Sequence, residues 1–120
     1  MKKYELTTET KTLANGRTLC RIKAFRDFGD VKKGDLGGWI ESESCLTHKG
    51  DCWVADEAWV QNDAKVLHDA IVSGSAWLNG NVIVSGKARV GGSAWMNGNV
   101  KVTGNACIMD GIHSGEKVKS

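Results

Sequence analysis

The chain has 120 residues, the size of one domain, with a formal net charge of +2 and no proline. That charge is too small to argue for nucleic acid, and no apolar run reaches the length of a membrane span or a secretory leader. The four cysteines, Cys20, Cys45, Cys52 and Cys107, have no C-x-x-C spacing and read as reduced thiols of a cytoplasmic protein, not as a zinc or disulfide framework.

The first segment alternates apolar and polar residues. Tyr4-Glu5-Leu6-Thr7-Thr8 and Lys11-Thr12-Leu13-Ala14 stand before Asn15-Gly16, and Arg17-Thr18-Leu19-Cys20-Arg21-Ile22 follows it. Asn-Gly between alternating runs is a strong hairpin signal. Residues 1–34 are therefore expected to form a β-hairpin cap, since the first coil of a repeat protein needs cover for its bare edge. Lys32, Lys33 and Lys49, with Trp53, form a candidate partner surface near this cap, set against the simpler reading of a solvated charged rim. The glycines of Gly34-Asp35-Leu36-Gly37-Gly38-Trp39 allow a tight path from cap to coil.

From Val54 onward an apolar residue recurs every six positions: Val54, Val60, Val66, Val72, Leu78, Val84, Val90, Met96, Val102 and Ile108. Four places after each comes a smaller or branched residue: Ala58, Ala64, Ala70, Ala76, Val82, Ala88, Ala94, Val100, Ala106 and Ile112. Six residues suffice for one short strand and a corner, so three hexads make a triangular coil and coils stack as parallel strands. The larger residue fills the middle of each side, and the smaller one fills the corner. Weaker hexads extend the two columns backward through Leu36/Ile40, Ser42/Leu46 and His48/Cys52. A third column reads Asp56, Asn62, His68, Gly74, Gly80, Gly86, Gly92, Gly98, Gly104 and Asp110. These types tolerate a left-handed backbone, so they are the expected corners. The fold class is all-β: a parallel β-helix over residues 35–113, with a frayed polar tail over 114–120.

These hexads resemble the hexapeptide-repeat family of left-handed parallel β-helices, and the handedness is what that resemblance implies. Residues 18–60 also resemble the N-terminal part of the YdcK-like hexapeptide-repeat proteins of bacteria and prophages. The likeness is carried by Asp27-Phe28-Gly29-Asp30-Val31-Lys32-Lys33-Gly34, Gly37-Gly38-Trp39 and Gly50-Asp51-Cys52-Trp53. It implies a phage or prophage setting, with the cytoplasm of a host as the location, and transfers no activity.

Many hexapeptide-repeat proteins are acyltransferases, with a histidine base on a loop that leaves the prism. Here the six-residue beat runs without a loop from Val54 to Ile112. His68 falls in the corner column, where a left-handed corner role outweighs a catalytic one. His48, His68 and His113 do not share the coil spacing that a shared zinc would need. No catalytic residue, metal ligand or cofactor is assigned.

The remaining signal is a ladder. Trp59, Trp77 and Trp95 stand eighteen residues apart, each one place before an inward residue, so all three are expected outward on one face. The same spacing adds Glu41 and His113 at its ends. Three exposed indoles make a patch of several hundred Å², more than a soluble monomer usually leaves open. The first expectation is self-association, as a dimer or trimer. The second is a partner surface for a host protein or a small nucleotide-like ligand. The functional expectation is a non-enzymatic, oligomeric binding protein of inhibitor or anti-defence type. A self-assembling structural module and a degenerate acyl or sugar transferase stand as alternatives.

Overall fold

The computed structural model describes residues 3–13, 16–29, 31–48, 50–61, 63–109, 111–114 and 117–119. Strands β1 (Tyr4–Thr12), β2 (Thr18–Ala24) and β3 (Leu36–Ile40) are long. The strands after them have two or three residues each, as a hexad predicts. They are β4 (Trp53–Val54), β5 (Trp59–Val60), β6 (Lys65–Val66), β7 (Ile71–Val72), β8 (Trp77–Leu78), β9 (Ile83–Val84), β10 (Arg89–Val90), β11 (Trp95–Asn97), β12 (Lys101–Thr103), β13 (Cys107–Ile108), β14 (Ile112–Ser114) and β15 (Lys117–Lys119).

Every third short strand pairs in parallel, which gives the three faces of a β-helix: β4-β7-β10-β13, β6-β9-β12-β15, and β3-β5-β8-β11-β14. The third face is the longest. Antiparallel β2 and β1 continue it beyond β3, so the hairpin extends one wall of the prism. Coils are tied by bonds such as Trp59 N–H to Ala76 O (2.9 Å) and Trp77 N–H to Ala94 O (2.9 Å). Each such bond uses a backbone donor, which explains why proline has no place in the repeat.

The two inward columns are closed to solvent from Val54 to Met96, with Val100 and Val102 continuing them. Burying each larger residue contributes about 1.5–3 kcal/mol, so a column only one side chain wide still holds the prism together. The corners also match expectation. Asp56 and His68 have φ of 57° and 60°, and Gly74, Gly80, Gly86, Gly92, Gly98 and Gly104 lie between 59° and 81°. Asn62 and Asp110 fall outside the described residues. The two non-glycine corners also serve the next coil. Asp56 Oδ2 accepts the N–H of Gly74 (3.0 Å), and His68 Nδ1 accepts that of Gly86 (3.1 Å).

The register of the first coil differs from the expected one. Ile40 pairs with Val60 and Leu46 with Val66, twenty residues apart, whereas Val54 pairs with Val72, eighteen apart. Ile40 and Leu46 therefore occupy the large inward column, not the corner column. Leu36, expected inward, is 52% exposed. Ser42 and His48 are only partly buried. Two extra residues sit between Leu46 and Val54, and they form the seat of the hairpin. Tyr4 lies fully buried there, its ring stacked on His48 at 4.2 Å, its hydroxyl donating to Leu46 O (2.6 Å). His48 Nδ1 accepts the Lys3 backbone N–H (3.2 Å) and its Nε2 meets Glu43 (2.8 Å).

The last coil is shorter than expected. Trp95 pairs with Ile112 and Lys101 with Lys117, seventeen and sixteen residues apart. Gly111 O takes the Trp95 N–H that the repeat would give to residue 112. The tail is not wholly frayed, because β15 pairs with β12.

Candidate functional site

The longest face carries the ladder. Trp59 and Trp77 stack with ring centroids 4.4 Å apart and planes within 1°, and Trp77 and Trp95 at 4.6 Å and 7°. In-register pairing Trp59↔Trp77↔Trp95 produces this: equal backbone positions one coil apart put identical side chains at strand spacing. Trp59 and Trp77 are half-buried by their neighbours, and Trp95 is 43% exposed.

At one end the column continues as Trp39, not Glu41, because of the twenty-residue first coil. Trp39 is buried under the hairpin. Lys11 Nζ lies 4.6 Å from the Trp39 ring and 5.1 Å from that of Trp59, and the Arg21 guanidinium is 5.3 Å from Trp39. Glu57 bridges these cations, 3.4 Å from Arg21 and 3.9 Å from Lys11, and accepts the Trp39 indole N–H (3.4 Å). Counting by eighteen does not reach Trp39, although Trp39-Ile40 carries the same tryptophan-then-β-branched pattern as Trp59-Val60, twenty residues before it. At the other end the ladder does not continue to His113. The backbone of His113 pairs with Met96, and Ile112 stands beside Trp95, because the last coil has lost one residue by that point.

A groove of about 510 Å³ runs between the hairpin and the ladder, lined by Lys11, Thr12, Leu13, Trp59, Gln61, Trp77 and Asn79. Gln61 is buried beside it, and its Oε1 has no hydrogen-bond partner among the described residues. A buried amide oxygen left so costs about 1–3 kcal/mol.

The second candidate surface is not assembled as expected. Trp53 shares a backbone column with Ile71, Arg89 and Cys107, yet it is only 4% exposed. Phe28 covers it edge-on at 5.3 Å, with Tyr4 at 6.3 Å. Trp53 is thus the anchor for the entry loop and not a partner surface. Lys32 and Lys33 are exposed, their backbone N–H groups bound by Asp35 (2.9 Å) and Asp27 (2.7 Å). Lys49 lies outside the described residues. The cleft next to Trp53 is lined by Asp35, Asp51, Asp56 and Asp69 with Arg89, so its charge opposes that of the lysine rim. Among the described residues no three His, Cys, Asp or Glu side chains are grouped as a metal site requires.

No protein-family model matches the chain. A relative from Escherichia coli (strain K12), described as uncharacterized acetyltransferase YdcK, is 33% identical over 82 residues. The match covers 62% of this chain and 24% of that protein, so the chain spans about a quarter of that relative's length. Similarity and coils together make this a hexapeptide-repeat-like β-solenoid. Among the described residues no helix is long and apolar enough to cross a membrane.

Proposed function

We propose that this chain is a non-catalytic binding module that works as an oligomer through its tryptophan face. One observation carries the reading: Trp59, Trp77 and Trp95 form a continuous stack on the outside of a flat parallel sheet, with Trp95 the most open. A rigid row of aromatic rings loses little conformational entropy on contact and supplies the kind of anchor that dominates interfaces. The first partner is a second copy, prism against prism, as a dimer or trimer. On the resemblance of residues 18–60 to YdcK-like proteins of bacteria and prophages, the wider role we propose is that of a phage-encoded protein in the host cytoplasm, where the same face or the clefts between subunits occupy a host protein or a small nucleotide-like ligand.

The test is the mass in solution of the parent and of Trp77→Glu. The charge would be desolvated in the middle of the interface while both inward columns stay intact. The parent should be an oligomer and the variant a folded monomer. A variant that keeps the parent mass removes the ladder as the self-association surface.

The acetyltransferase description of the relative favours a second reading, a fragment or descendant of an acyl transferase. Release of free thiol from acetyl-CoA on incubation with the chain and candidate amine acceptors would replace the binding reading with that one.

A further inference from the structure

The hairpin seat holds an unusual neighbour pair. Lys3 is fully buried, and its Nζ lies 2.6 Å from Cys52 O, 3.1 Å from Gly50 O and 3.3 Å from Cys52 Sγ. The Phe28 ring covers it at 4.8 Å. Thr47 Oγ1 sits on the other side of the sulfur, also at 3.3 Å. Further contacts hold the pair together in the closed structure. The Lys3 backbone N–H is bound to His48, and the adjoining Tyr4 is pinned to His48 and Leu46. The partners are 49 residues apart in sequence, one on the hairpin and one in the first coil. An amine nitrogen held on a thiol sulfur is a pair of nucleophiles that one oxidation step turns into nucleophile and electrophile.

We propose that Lys3 and Cys52 form an oxidatively closed covalent lock between the hairpin and the solenoid, in which the Lys3 amine condenses with a Cys52 sulfenic acid. Hydrogen peroxide is the oxidant. In the first step the thiol sulfur takes one peroxide oxygen, giving S–OH and one water; sulfur loses two electrons and the peroxide O–O bond is reduced. In the second step the Nζ lone pair attacks sulfur. The N–S bond forms, the S–O bond breaks, and the leaving hydroxide takes a proton from nitrogen as a second water. One thiol, one amine and one peroxide thus become a sulfenamide and two waters. Sulfenic acids condense in this way with nitrogen nucleophiles as well as with thiols. Burial lowers the Lys3 pKa, partly offset by the neighbouring Cys52 and Asp51, so the free amine that the second step needs is more populated than on an exposed lysine. Both atoms are shielded in the closed structure. Lys3 directly precedes β1, the edge strand of its sheet, and local opening of such an edge costs less than global unfolding and admits a molecule the size of peroxide. Reclosure returns the amine to the sulfur. The link restricts the unfolded chain and is undone by an excess of thiol.

The experiment exposes the full chain to hydrogen peroxide, alkylates remaining thiols, and maps the proteolytic fragments by mass. The expected product is a joined pair, one fragment ending its cross-link at Lys3 and the other at Cys52, lighter by two hydrogens than the sum of its parts. Dithiothreitol should separate it, and the oxidised protein should melt at a higher temperature than the reduced one. Cys52→Ser and Lys3→Arg, checked for folding by circular dichroism, should both lose the pair. The parent result decides alone if either variant fails to fold. Recovery of Cys52 wholly as alkylated thiol or sulfinic acid, with Lys3 unlinked, overturns the proposal. So does a joined pair that retains an extra oxygen, or one that persists in Lys3→Arg.

Discussion

Trp59 and Trp77 lie face to face, centroids 4.4 Å apart and planes within 1°, although eighteen residues of chain separate them. The distance is set by the backbone ladder and not chosen by the rings, since parallel strands stand roughly 4.8 Å apart. Each stacked contact still adds about 0.5–1.5 kcal/mol beyond the area it covers. Indoles this close couple their electronic transitions, so the ultraviolet circular dichroism should show an exciton couplet. Trp77→Phe removes both stacked contacts and should weaken the couplet most, whereas Trp59→Phe leaves the Trp77–Trp95 pair and should weaken it less. An unchanged spectrum in Trp77→Phe would show that the rings are not stacked in solution.

The corner glycines separate two costs that usually come together. Gly80 has φ +81° and a Cβ built there would lie 2.9 Å from Gly98 N. Gly34 has φ +95° and open space around that position. Alanine at Gly34 therefore meets backbone strain alone, about 1 kcal/mol, while alanine at Gly80 must also push the next coil away, for about 2–3 kcal/mol in all. Gly80→Val should be worse still, and Gly98→Val should also destabilise, because β-branched residues fit a left-handed backbone poorly. Equal losses at Gly34 and Gly80 in urea unfolding would mean that the coils do not approach as closely as Gly80 and Gly98 do here.

Most of the prism was legible because its constraint is periodic. Val54 to Met96 repeat one environment, and each position was inferred from many equivalents. The ends were not legible, for a physical reason. Trp39, His48 and Ile112 lie where coils of twenty and seventeen residues meet coils of eighteen, and no repeat averages out such an offset. Hence counting by eighteen puts Glu41 and His113 on the ladder, while backbone pairing puts Trp39 and Ile112 there. Trp53 failed differently. Its outward column was right, but a covering residue from far along the chain, Phe28, leaves no periodic trace. The Lys3–Cys52 contact is of the same long-range kind.

The joint between hairpin and prism depends on Gly37 and Gly38. A Cβ at Gly38 would lie 2.7 Å from Ala58 O, which accepts the Trp39 N–H on the same face, and 2.7 Å from a Val54 methyl carbon on β4 of another face. Neither can retreat without breaking the column above it. Gly38→Ala should cost about 2–4 kcal/mol, at the level of overpacking in a rigid core plus a strained ladder. Hydrogen exchange should show the loss first in β2 and β3, with the coils from β8 onward still protected. Uniform loss of protection along the whole chain would show instead that hairpin and prism unfold as one unit.

Tyr4 is the only tyrosine of the chain, so its ionisation can be followed directly by phenolate absorbance. Burial raises its pKa above the ordinary 10.0, assisted by the nearby Glu43, Cys45 and Cys52. The sign of the linked effect follows. Above pH 10 the unfolded chain releases the proton while the folded chain keeps it, so stability supplied by the hydroxyl is fully present below pH 10 and falls as pH rises further. Lys3 acts in the opposite direction, because its lowered pKa makes the folded state less costly as pH rises towards the ordinary 10.5. That contribution is common to Tyr4→Phe and the parent, and it cancels in their difference. At neutral pH Tyr4→Phe should lose about 1–2 kcal/mol, the worth of a buried bond to Leu46 O with an acceptor left unsatisfied. Above pH 10 the gap between parent and variant should narrow. Phenolate absorbance in the folded parent should stay absent until well above pH 10 and appear together with unfolding. A free titration at the ordinary value, with the fold intact, would show that Tyr4 is exposed and that the hairpin is not seated on His48 and Leu46.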